Sequence, residues 1–226
     1  MNSKIILEIS LSAVFAIGML SMPLGIADAM GSFLDVKKTT VLTDSSEVEK
    51  AIFNTKAKIP TDGSGGAFGY GYITTDPERA EDGETVVAVT TTHGGVPDSE
   101  AQENAADPVW HNHYVALVQL DEDDKCPGLE VKDITFEEPG DVDVKNKIAS
   151  MEDVPYYFAG THSLSMDPIT FDTEGDIIAA VSFTIDPVDS NGDTIVDLGD
   201  LAAVCINDVA AVDSSDLKVR QVWKIL

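Results

Sequence analysis

Positive charge is scarce in this sequence: 14 Lys and Arg stand against 40 Asp and Glu, a formal net charge of −26 over 226 residues. A surface so acidic repels phosphate backbones and anionic headgroups. That excludes nucleic acid as a partner and, beyond the first residues of the chain, docking to a membrane. Signatures of catalysis are missing as well. Gly-x-Ser-x-Gly does not occur, and Ser163 beside His162 has no acid partner in sequence. The glycine-rich stretch from Thr61 to Gly66 lacks the lysine and spacing of a phosphate-binding loop. Neither Cys126 nor Cys205 is closely followed by the His and Met of a cupredoxin copper site. Nothing marks an open substrate position, so a binding protein is expected rather than an enzyme.

Long apolar runs are also lacking after the first residues. The exception is N-terminal. Lys4 is followed by an apolar stretch from Ile5 to Ile26, broken by Glu8, and then by Ala27-Asp28-Ala29. Small residues at those two alanine positions match signal-peptidase specificity, so residues 1–29 are expected to be a signal peptide cleaved after Ala29. The alternative is an uncleaved anchor, because the stretch is almost long enough to span a bilayer. Export gives an extracellular or cell-surface location. In an oxidising compartment the isolated pair Cys126 and Cys205 is expected to form one disulfide. It would close a loop of about 80 residues and add on the order of 4 kcal/mol.

The rest of the chain reads as short strands separated by turn residues. Candidates are Ala51 to Ile59, Ala67 to Thr74, Glu84 to His93 with its valines and threonines, and the apolar Trp110 to Leu120. Leu129 to Phe136, Val142 to Ile148, Pro155 to His162, Asp176 to Ile185 and the closing Leu217 to Leu226 follow. Pro97 to Pro108 is polar and suits a surface loop or one short helix. No amphipathic helix of useful length, repeat or long linker is visible. The expected fold is all-β: a single antiparallel β-sandwich or Greek-key barrel over residues 30–226.

The chain has four histidines, His93, His111, His113 and His162, each in or at the end of an expected strand. Residues i and i+2 of a strand share a face, so His111 and His113 lie side by side, roughly 6–7 Å apart. His93 ends the preceding strand, and neighbouring strands pair in a meander. His162 would arrive from a facing sheet. Four imidazoles sharing one ion suit copper, zinc or nickel and disfavour calcium or magnesium. The plainer alternative is packing and hydrogen bonding. Copper sites on the Greek-key barrels of superoxide dismutases use the same ligand type, and the similarity ends there. The string His111-Asn112-His113 spells the name of a nuclease motif, but that motif spreads its residues over a longer stretch and needs a surface that tolerates DNA.

A second candidate is Asp189 to Asp200, whose oxygen ligands fall at positions 1, 3, 5, 9 and 12 of a loop similar to an EF-hand or dockerin calcium loop. Thr194 replaces the glycine of position 6, Asp200 replaces the bidentate Glu, and a strand precedes it where a helix is expected. An Asn-Gly turn between strands competes with this reading.

Thr92-His93-Gly94-Gly95-Val96, Pro108 to His113, Gly160 to Leu164 and Leu201 to Cys205 together resemble exported proteins of ammonia-oxidising archaea. The resemblance covers about residues 86 to 206. It implies export, and it favours copper because such organisms export many copper proteins. The expected function is thus a secreted or cell-surface metal-binding protein, copper before zinc. The alternative is a metal-free structural or interaction module of the cell surface. Such a module would self-associate or bind other surface proteins through edge strands, Leu217 to Leu226 above all.

Overall fold

A computed structural model describes residues 32–93, 109–119, 125–126, 128–190 and 201–222. The expected signal peptide, the Pro97 to Pro108 segment and all but the first two residues of the acidic loop lie outside these. The chain from Gly31 to Leu226 forms one compact unit. The strands are β1 (Val36–Thr43), β2 (Glu47–Thr55), β3 (Phe68–Thr74), β4 (Thr85–Thr92), β5 (His111–Gln119), β6 (Leu129–Ile134), β7 (Asp141–Lys145), β8 (Ile148–Pro155), β9 (Tyr157–Thr161), β10 (Pro168–Asp172), β11 (Ala179–Asp189), β12 (Leu201–Ala211) and β13 (Leu217–Gln221). The helix α1 (Pro77–Glu81) lies between β3 and β4.

Six strands close a barrel in the order β11-β12-β6-β5-β4-β3, with β3 returning to β11. Each of its pairings is antiparallel. A five-stranded sheet, β13-β1-β2-β8-β7, forms a second layer, and β9 and β10 make a small ribbon. The all-β expectation therefore holds, in the form of a barrel covered by a sheet. One pairing departs from it, since β13 runs parallel to β1.

Period-two alternation divides the core in two. On β4, Val86 and Ala88 face the sheet, while Val87 and Val89 point into the barrel. On β5, Tyr114 and Ala116 face the sheet, while Val115 and Leu117 fill the barrel with Val181, Phe183 and Ile206. Phe53, Met151, Tyr70, Tyr72 and Phe171 dominate the layer between barrel and sheet. Burial there pushes the Tyr114 hydroxyl up to about 12, and the hydroxyl donates to Pro155 O at 2.8 Å.

A six-stranded barrel has little room inside. Gly69 and Gly71 of β3 are the inward positions opposite Thr91 and Val89. A Cβ on Gly69 would lie 2.7 Å from Thr91 Cγ2 and 2.8 Å from Phe183 Cζ. Glycine here is required by close approach, not by turn geometry.

Cys126 and Cys205 are joined in a disulfide, fixing the segment before β6 to β12. That bond is compatible with an extracellular protein. Among the described residues, no helix is long and apolar enough to cross a membrane.

Several elements were not foreseen. The expected strand from Val142 to Ile148 is two strands, because Asn146 adopts φ 55° and turns the chain from β7 into β8. β1, β10 and β12 are strands beyond those expected, being short or interrupted by polar residues. The one-turn helix α1 has a local signal. Asp76 accepts from the N–H of Arg79 at its N-cap, and Pro77 occupies the first turn.

Candidate metal centre

The barrel interior changes character toward one end. Along β5 the inward residues run Leu117, Val115, His113, His111; along β4 they run Val87, Val89, Thr91, and His93 follows. The register pairs Val89 with His113 and Thr91 with His111. Alternation and register together thus bring three imidazoles to one end of the lumen. Asn112 points the opposite way, its Nδ2 donating to Asp141 O at 2.9 Å. It ties the barrel to β7 and cannot act with its neighbours, so the three-residue string is no nuclease motif.

His93, His111 and His113 are buried, at 7%, 1% and 1% exposure. Each offers a ligand atom within 4.8 Å of the others, and among the described residues this donor set is imidazole alone. The rings of His111 and His113 lie 4.7 Å apart at 77°, and those of His93 and His111 4.6 Å apart at 90°. Backbone carbonyls set the tautomers. His111 Nδ1 lies 3.2 Å from Val109 O, and His113 Nδ1 lies 2.7 Å from Thr135 O. A carbonyl only accepts, so both Nδ1 atoms carry the hydrogen and each neutral ring keeps its lone pair on Nε2. Ligating histidines are held by the same kind of bond from their other nitrogen.

His93 Nε2 approaches His111 Nε2 at 2.7 Å. Since His111 Nε2 is the acceptor, His93 supplies the hydrogen. Thr91 Oγ1 stands 3.4 Å from the same His111 nitrogen. An ion would take the place of the shared hydrogen. Two nitrogens at about 2.0–2.1 Å from a tetrahedral ion are about 3.3 Å apart, so His93 and His111 must separate by roughly 0.6 Å to admit it.

His162 does not join this group. It bridges Thr135 in antiparallel fashion, but its Nδ1 accepts from the N–H groups of Leu164 and Ser165 at 3.0 and 3.2 Å. Its Nε2 faces Lys132 O at 3.4 Å and Asp133 Oδ1 at 3.5 Å. Of the four histidines expected to share an ion, the structure brings three together and leaves His162 apart. The next residue reaches the site instead, with Ser163 Oγ donating at 3.0 Å to Thr135 O, the carbonyl that holds His113. Thr135, Ser163 and the Val109 carbonyl escaped sequence reasoning because nothing in their residue types signals a ring anchor.

His162 belongs to a charged cluster around Arg79. Arg79 Nη1 donates to Glu84 Oε2 and Asp133 Oδ2, both at 2.7 Å, and the guanidinium lies 4.1 Å over the Phe171 ring. Lys132 bonds Glu84 from the other side. Burial works against the Arg79 charge, and the bonds from Asp133 and Glu84 outweigh it, leaving its pKa raised. This cluster pins α1 to β6 and β10 and is structural.

Of the calcium candidate, Asp189 ends β11, and residues 191–200 lie outside the described residues. The entering element is a strand, and β11 pairs directly with β12. Asp44, Glu47 and Glu49 also gather carboxylate oxygens. There, Asp44 Oδ1 accepts from the N–H groups of Ser46 and Glu47 and so shapes the turn between β1 and β2.

Comparison with family models, with curated proteins and with solved structures finds no match for this chain.

Proposed function

We propose that this is an exported metal-binding barrel protein, holding one copper or zinc ion through His93, His111 and His113. The observation that carries the reading is the convergence of three buried imidazoles, two of them held through Nδ1 by backbone carbonyls. A packing role alone would be served better by the valines that fill the same lumen one turn of the pleat away. Copper ranks before zinc because affinity for a nitrogen site rises to copper in the divalent series, and the resemblance to exported archaeal proteins agrees. A buried site with ordered rings suits storage, delivery or sensing of the ion.

Elemental analysis of untagged protein, after incubation with copper or zinc and removal of excess, tests this. The expected result is one ion per chain. It is lost in the His111→Ala/His113→Ala double variant and retained in His162→Ala. Protein free of both metals overturns the proposal.

A further inference from the structure

Among the described residues, the five-stranded sheet ends in two unpaired edge strands, one carrying basic residues and the other mainly acidic ones. β13 forms one edge and β7 the other. The solvent-facing residues of β13 are Lys218 and Arg220, lying beside Thr40 and Leu42. Those of β7 are Asp141, Asp143 and Lys145, lying beside Glu152, Ser150 and Ile148. On the other face, Val219 stands beside the buried Val41, and Val142 beside the buried Met151. Two basic residues at one edge are conspicuous in a chain of net charge −26.

The backbone groups along both edges are placed for pairing. Asp216 O and Val222 N bond toward β1, so by parallel-ladder alternation Leu217, Val219 and Gln221 turn their N–H and C=O outward. A two-residue turn joins Lys145 to Ile148, making them a hydrogen-bonded pair, so Val142 and Val144 are the outward residues of β7. Leu217 already gives its N–H to Asp213 O at 3.1 Å; among the described residues, no other hydrogen bond beyond the strand ladders engages these five backbones. Val219 is also 46% exposed, an apolar side chain at an uncovered edge.

Direction and register agree as well. β13 runs parallel to β1, and three successive antiparallel steps through β2 and β8 to β7 make β7 run opposite to β1. A second copy displaced along the sheet therefore presents β7 antiparallel to β13. Placing Val219 opposite Val142 sets Leu217 opposite Val144, Lys218 opposite Asp143 and Arg220 opposite Asp141. Both apolar pairs then fall on the core side and both ion pairs on the solvent side.

We propose that copies of this chain associate head to tail, β13 of one pairing with β7 of the next in the register Val219 to Val142. The pairing forms about three backbone hydrogen bonds and covers Val219. Because the two surfaces differ, the contact is heterologous and grows into chains or closes into rings. Net charge opposes it at long range. Association is expected once salt shortens the screening distance to about 8 Å at about 0.15 M, where only contacting pairs still interact strongly. The metal site lies within the barrel and is not needed.

Sedimentation of the chelator-treated protein over a concentration series tests this. The expected result is reversible growth through multiples of the monomer mass. Two charge-reversed variants, Asp141→Lys/Asp143→Lys and Lys218→Glu/Arg220→Glu, should each associate at least about tenfold more weakly alone, with unchanged circular dichroism and melting. Mixed together they should associate again, since each supplies the edge complementary to the other. A monomer at every concentration and salt overturns the proposal, and so do variants that associate like the parent or a mixture that stays monomeric. Association abolished by chelator assigns the contact to bridging metal and equally refutes edge pairing.

Discussion

Adding one methyl group at Gly69 tests the close packing that shapes the metal end of the barrel. The Cβ of Gly69→Ala would lie 2.7 Å from Thr91 Cγ2, and 2.8 Å from Phe183 Cζ and from the Thr90 carbonyl oxygen. Real side chains do not tolerate such distances, so Phe183 and Thr91 must leave their positions. Overpacking of this kind costs about 1–3 kcal/mol, or about 2–4 °C of melting temperature per kcal/mol in a chain of this size. Thr91 also pairs with His111, so the shift should reach the site and weaken metal retention. The assay is urea denaturation of wild type, Gly69→Ala, Phe183→Leu and the double variant. Leucine removes the ring atom that the new Cβ meets, so Gly69→Ala should cost at least about 0.5 kcal/mol less in the Phe183→Leu background, beyond the usual error of additivity. If the two changes are additive, Gly69 is not a glycine on account of Phe183, and the account of the lumen fails.

Other consequences can be measured directly. Copper or zinc should raise the melting temperature at neutral pH, and the rise should fade on acidification as protons compete for the imidazole nitrogens; calorimetry across pH checks this. Reducing Cys126–Cys205, 79 residues apart in sequence, should cost about 4 kcal/mol, read as a drop in the urea midpoint. Glu84→Gln removes the charge that both Arg79 and Lys132 bond, and it should cost about 1.5–3 kcal/mol in the same assay. The Thr161 N–H, bonded at 2.6 Å, holds the Glu137 carboxyl below its ordinary 4.5. Its stabilisation is present above the unfolded value and lost as pH falls through the lower folded value, so stability curves of Glu137→Gln and wild type should converge in acid and part above about pH 5.

The histidine pair was legible because it depends on one strand. His111 and His113 share a face whatever the strand pairs with, and Val115 and Leu117, two and four residues after His113, identify that face as the interior. His93 required one further step, the β4–β5 meander, which adjacency in sequence supplies. His162 failed at the third step. Its chain segment does reach the site, but the reach is made by Ser163, and a shift of one residue on a period-two element exchanges the two faces. Nothing in the local sequence fixes that parity. It is set by the bridge to Thr135 and the β9–β10 ribbon, both of them long-range. The parallel placement of β13 was hidden for the same reason, since its partner β1 lies at the other end of the described chain.

The inward positions of β4 and β5 give the argument for function its physical weight. A six-stranded barrel is filled most stably by aliphatic side chains, and five valines and leucines do fill one end. Three imidazoles at the other end must each be hydrogen-bonded to avoid the cost of burying a polar group, about 1–3 kcal/mol apiece when unmatched. The fold meets that requirement with groups drawn from distant elements: Val109 O before β5, Thr135 O after β6, and one ring bonded to the next. Apolar residues would need none of this. Where a sequence keeps an arrangement that is harder to satisfy than its simple alternative, with a ligand atom of each ring within 4.8 Å of the others, stability alone does not account for the choice, and that supports the proposed metal site.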